Sequence, residues 1–161
     1  RHSSIVEESV SFAYRLTRHL FPSRFLAAGA KLRAGHWAPE AANLINPDGI
    51  KISLHSLLQN DLRCVVLISP GQSSDESDLQ ALKTLKDELL RDFPALLDPW
   101  LITPFHTSCA IHDSNGEFHE AYCAKSKSIF VIRPDGFLGF ISKPINSEDL
   151  RTYLSKKLRA R

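Results

Sequence analysis

The chain has 161 residues, 43% of them hydrophobic, which is enough for one core and too little for two ordinary domains. Its net charge of +2 is near balance and gives no electrostatic case for nucleic acid or an anionic membrane as a partner. No apolar run approaches the length of a membrane span, and the first residues lack the charged, apolar, small-residue order of a signal peptide.

Three widely spaced cysteines, Cys64, Cys109 and Cys123, argue against a disulfide framework and fit a reducing, cytoplasmic setting. The chain starts at Arg1 and contains no Met, which reads either as a piece of a longer protein or as a chain that starts after a missing leader.

The first element predicted is a helix over residues 4–21. Val6, Val10, Ala13, Leu16 and Leu20 recur at three- and four-residue steps, Ser3 or Ser4 can cap the start, and Pro22 follows the end. Residues 27–40 read as an extended lead-in. A small hairpin is expected around Asn46-Pro47-Asp48-Gly49, because Pro fixes φ and Gly accepts the positive φ that such a turn needs. Ser53 then opens a short helix carrying Leu54, Leu57 and Leu58.

The run Arg63-Cys64-Val65-Val66-Leu67-Ile68 suits a central strand covered on both faces. A loop, Ser69 to Ser74, leads to a helix whose buried stripe is Leu79, Leu82, Leu85, Leu89 and Phe93. Ser77 with Gln80 is a possible capping box, and Pro94 is the stop. Trp100 to Pro104 read as a second strand, Asp113 to Gly116 as a turn, and Phe118 to Ala124 as a short helix. Ile129 to Ile132 form a third strand, which Pro134-Asp135-Gly136 turns back into Phe137 to Ile141. The last helix is capped by Asn146, with Asp149 at its N3 position. Ile145 and Leu150 form a hydrophobic staple, and Leu150, Tyr153, Leu154 and Leu158 form the inner face. This order predicts an α/β domain with a mixed sheet and helices on both faces.

Three segments carry a resemblance. They are Leu32-Arg33-Ala34-Gly35-His36-Trp37-Ala38-Pro39 with Asp48-Gly49 and Leu54 to Leu58; Asp113 to Tyr122; and Val131-Ile132-Arg133-Pro134-Asp135-Gly136-Phe137-Leu138-Gly139-Phe140. Together they are similar to the C-terminal domain of phenol 2-monooxygenase and related flavin-dependent aromatic hydroxylases, over roughly residues 26–158. Cys123 stands where that family usually has Gly.

The resemblance implies a thioredoxin-like fold without a Cys-x-x-Cys motif. It divides the chain into an N-terminal helix and connection, 1–25, and a thioredoxin-like domain, 26–161. It implies a non-catalytic accessory and dimerisation role, with a second copy or a flavin-binding hydroxylase domain as partner. Any FAD would belong to an absent upstream domain, and no residue of this chain is assigned to a cofactor. The chain's own chemistry agrees, since it has no Gly-x-Gly-x-x-Gly or other glycine-rich phosphate loop.

The remaining candidates have bland readings beside sharp ones. A redox dithiol or a peroxidatic cysteine would fall in the loop Pro70-Gly71-Gln72-Ser73-Ser74, which holds no cysteine, so a peroxiredoxin-like activity is not expected. Cys64 reads as a small buried hydrophobe and Cys123 as a half-buried packing residue. Cys109 lies in a loop between His106 and His112 and is the one thiol placed to react. The spacing of His106, His112 and His119 with Asp113 fits no zinc pattern. Ser69, Ser73 and Ser74 lack a nucleophile elbow. Arg133 reads as part of a turn, with pairing across a subunit interface as the alternative.

The aromatics Phe12, Tyr14, Phe21, Phe25, Trp37 and Trp100 are read first as an association surface, then as core, then as an apolar ligand pocket. A second hypothesis is a free-standing domain that binds or transforms an aromatic or polyketide-like molecule. His106, Cys109, His112, Asp113 and Tyr122 would then be the acid–base candidates.

Overall fold

The computed structural model describes residues 31–58 and 62–159, without the side chains of 158 and 159. The helix expected over 4–21 and the aromatics Phe12, Tyr14, Phe21 and Phe25 lie outside the described residues, as does the side chain of Leu158.

The hairpin forms where its turn residues place it. Strands β1 (Leu44–Ile45) and β2 (Lys51–Ile52) pair antiparallel. Gly49 takes φ +81°, its amide donates to the Asn46 carbonyl at 2.9 Å, and the Ile50 amide donates to Asn46 Oδ1 at 2.8 Å. The short helix after it is a 3₁₀ turn, Leu54–Leu58, opened by the Ser53 hydroxyl accepting from the Ser56 amide.

Strand β3 (Cys64–Ser69) is buried on both faces. Val65 and Leu67 enter one hydrophobic cluster, while Val66 and Ile68 enter the other. Helix α1 (Leu79–Asp92) covers the second cluster with Leu82, Leu85 and Leu89. Its cap corrects the sequence reading. A 3₁₀ turn, Glu76–Asp78, precedes the helix, and the capping box joins Asp75 and Asp78 rather than Ser77 and Gln80. A carboxylate accepts more strongly than a hydroxyl and favours the positive end of the helix, so Asp75 takes the cap.

Strand β4 (Leu97–Thr103) starts before the expected Trp100 and contains Pro99. Pro is tolerated there because β5 (Ile111–Asp113) pairs only with Ile102 and Thr103, leaving the first half of β4 with an open side. Strand β5 is absent from the sequence reading. It runs parallel to β4 and antiparallel to β1, and so joins the hairpin to the main sheet.

Helix α2 (Glu117–Ala121) follows Gly116 at φ +71° and is shorter than the expected Phe118–Ala124. Strands β6 (Ser128–Ile132) and β7 (Leu138–Ser142) form the second hairpin, with the Gly136 amide donating to the Arg133 carbonyl at 2.9 Å. Helix α3 (Ser147–Arg159) is capped by Asn146 Oδ1, which accepts from the amides of Glu148 and Asp149 at 3.1 Å each. Ile145 and Leu150 pack in one cluster, as the staple requires.

The sheet has seven strands in the order β2-β1-β5-β4-β3-β6-β7. Strands β3 and β4 are parallel, and β6 and β7 are antiparallel to their neighbours. One face carries the cluster of Val65, Leu67, Ile102, Phe118, Tyr122 and Phe130 under α2 and the Leu54–Leu58 turn. The other carries Val66, Ile68, Leu101 and Val131 under α1 and α3. Among the described residues no helix is long and apolar enough to cross a membrane.

Candidate functional site

The parallel strands β3 and β4 end side by side, and open α/β sheets place chemistry at such carboxyl ends. Ser69 closes β3, Asp113 closes β5, and His119 sits on α2. Their relative exposures are 0%, 3% and 1%. Ser69 Oγ lies 3.0 Å from His119 Nε2, and His119 Nδ1 lies 2.7 Å from Asp113 Oδ2. The same Oδ2 accepts from the His119 amide at 2.9 Å, and the Gly71 amide donates to Ser69 Oγ at 3.1 Å.

An ionised Asp113 only accepts, so Nδ1 carries a proton toward it and Nε2 faces the Ser69 hydroxyl. Burial pushes the Asp113 carboxyl up, but the hydrogen bonds from the His119 ring and amide outweigh it and hold it below the ordinary aspartate value.

The order Ser–His–Asp is that of a hydrolytic relay. A relay needs a nucleophile that substrate can reach, and Ser69 is fully buried. The loop beside it is closed as well. Gly71 has φ +107°, and a Cβ there would lie 2.8 Å from the Lys125 carbonyl oxygen and 3.0 Å from Ser126 backbone atoms. The Gln72 amide donates to that Lys125 carbonyl at 3.3 Å, and Ser74 Oγ donates to the Gly71 carbonyl at 2.7 Å. The three side chains therefore act as a buried strut joining the ends of β3 and β5 to α2.

The cysteines lie elsewhere. None of the three forms a disulfide among the described residues. Cys64 opens β3 at the end opposite Ser69 and is half-buried against the second cluster. Cys109 is half-buried in the loop after β4, its Sγ 3.3 Å from Thr107 Oγ1. Cys123 is exposed, which corrects the half-buried reading. It ends α2 at φ +50°, with its amide on the Glu120 carbonyl and the Ala124 amide on the His119 carbonyl. A left-handed residue past a helix end favours Gly, and an L side chain there costs roughly 1 kcal/mol.

The acid–base candidates separate in space. Asp113 is held by His119. His106 and His112 face one another edge to face, with ring centroids 6.1 Å apart. Tyr122 is a core residue, its hydroxyl donating to the Pro39 carbonyl at 2.8 Å and its ring stacked on Phe118 at 4.7 Å. His119, weighed in the sequence only as a metal ligand, turns both ring nitrogens to protein groups. Among the described residues no group of three or more His, Cys, Asp or Glu is placed to hold a metal.

Arg133 pairs with Asp135 across its own turn and lies over the Phe137 ring, 6.0 Å from the centroid. Trp37 packs edge-on against Phe137 at 5.0 Å, and Trp100 Nε1 donates to Asp98 Oδ2 at 3.0 Å.

A second pair, buried His55 with half-buried Glu40, carries no local sequence signal. His55 Nδ1 lies 3.0 Å from Glu40 Oε2, and its Nε2 lies 3.1 Å from the Ala38 carbonyl oxygen. The amides of Ala41 and His55 also donate to Glu40 Oε1. Burial raises the Glu40 carboxyl, and its bonds to His55 bring it below the ordinary glutamate value. This pair ties the lead-in segment to the 3₁₀ turn.

Comparison with solved structures places this geometry. The chain is similar to a thiol peroxidase from Chromobacterium violaceum, with TM-score 0.65 and 13% identity over 81% of this chain and 90% of that one. It is also similar to the thioredoxin domain of a thiol-disulfide oxidoreductase from Bacteroides vulgatus, with TM-score 0.59 and 15% identity over 78% of this chain and 98% of that domain. The fold is thioredoxin-like.

A further match is part of aklavinone-11 hydroxylase, solved with FAD and aklavinone, with TM-score 0.53 and 13% identity over 73% of this chain and 20% of that one. Identities this low establish the thioredoxin-like fold alone. No family model matches the chain, and no curated protein sequence matches it significantly. In this thioredoxin-like domain the loop after β3, Pro70 to Ser74, carries no thiol, and Ser69 beneath it is locked to His119 and Asp113.

Proposed function

We propose that this chain is a non-catalytic accessory domain of the kind that resembles the C-terminal domain of flavin-dependent aromatic hydroxylases, or a free-standing relative of it, and that it works by self-association. One observation carries the non-catalytic part of this reading. The loop after β3 holds no cysteine and is packed against the backbone of residues 125–126, over a Ser69–His119–Asp113 strut that no substrate reaches. A thiol-based reaction needs an accessible thiolate, which a helix N-terminus stabilises. Here the 3₁₀ turn that leads into α1 is capped by Asp75 and α1 itself begins after Asp78, two carboxylates whose negative charge would oppose one.

The three segments that resemble the hydroxylase domain support the same reading. Gly49 and Gly136, in the two Pro-Asp-Gly turns, adopt the positive φ those turns need. Cys123 stands at a left-handed position where that family usually has Gly. The match to part of aklavinone-11 hydroxylase is consistent with it. FAD and any aromatic substrate would belong to a separate flavin-binding domain.

The test is a turnover assay with dithiothreitol as reductant and either insulin disulfides or a hydroperoxide as acceptor. The expected result is no rate above the protein-free reaction. Multiple turnover that disappears in the Cys109→Ala or Cys123→Ala variant would overturn the reading.

A further inference from the structure

We draw no further inference here: the strongest candidate outside the site already described, the exposed Phe137 face at the β6–β7 turn with Arg133 laid over its ring, is an apolar surface patch, and nothing in the structure shows what covers it.

Discussion

Replacing His119 by Ala isolates the energetics of the buried strut. The substitution removes the 2.7 Å bond to Asp113 Oδ2 and the 3.0 Å bond to Ser69 Oγ, and it deletes a ring packed against Phe118 at 5.2 Å. A hydrogen bond to a charged group contributes about 1.5–3 kcal/mol and a neutral one about 1 kcal/mol. Together they place the loss at about 2.5–4 kcal/mol, overlapping the range of about 3–5 kcal/mol for breaking a buried pair from one side. Asp113→Ala orphans the Nδ1 donor and the His119 amide, at about 2–3 kcal/mol. The double variant strands neither the Asp113 carboxylate nor the His119 ring, only the backbone amide of residue 119 and the Ser69 hydroxyl, so it should cost less than the sum, with a coupling of about 2 kcal/mol.

Urea unfolding followed by circular dichroism measures all four corners of that cycle. Additivity within about 0.5 kcal/mol would refute the strut. A loss below about 1 kcal/mol for His119→Ala would do the same. The pH dependence supplies a second readout. The folded Asp113 pKa lies below the ordinary 3.8, so its contribution is complete above that value and vanishes as pH falls through the depressed one. Asp113→Asn should flatten stability against pH in that acid window.

Three further outcomes follow from the same geometry. Cys123→Gly should stabilise the fold by about 1 kcal/mol, because the residue sits at φ +50°, and a lower urea midpoint would contradict the left-handed assignment. Gly71→Ala should cost about 2 kcal/mol or more, since its Cβ would meet the Lys125 and Ser126 backbone at a φ that L residues rarely adopt, and an unchanged midpoint would show that the loop is not packed there. Glu40→Gln should remove part of the acid-dependent stability below the ordinary glutamate value of 4.5, where the Glu40 carboxylate takes up its proton, and an acid profile matching the parent would show that the Glu40–His55 contact does not stabilise the fold.

Local signals were legible in the sequence, and long-range ones were not. Both Pro-Asp-Gly turns, the Asn146 cap and the Leu79–Leu89 stripe depend on neighbours a few residues away, and all are found in the structure. Strand β5 is short, with polar His112 at its centre, and it is a strand because β1 and β4 lie on either side of it. Pro99 reads as a breaker, yet β4 passes through it, which follows only from where β5 begins to pair. Ser69 and His119 are 50 positions apart and meet because α2 packs over the end of β3. The sequence marks Asp113 as an acid–base candidate and leaves Ser69 without a nucleophile elbow, and the histidine that joins them depends on a tertiary approach that no spacing rule encodes.

Self-association is tested most directly by the mass of the purified chain in solution, measured by light scattering across a wide concentration series. A self-associating domain gives a species of twice the 18.1 kDa chain mass that persists on dilution. A single 18.1 kDa species at every concentration would contradict it.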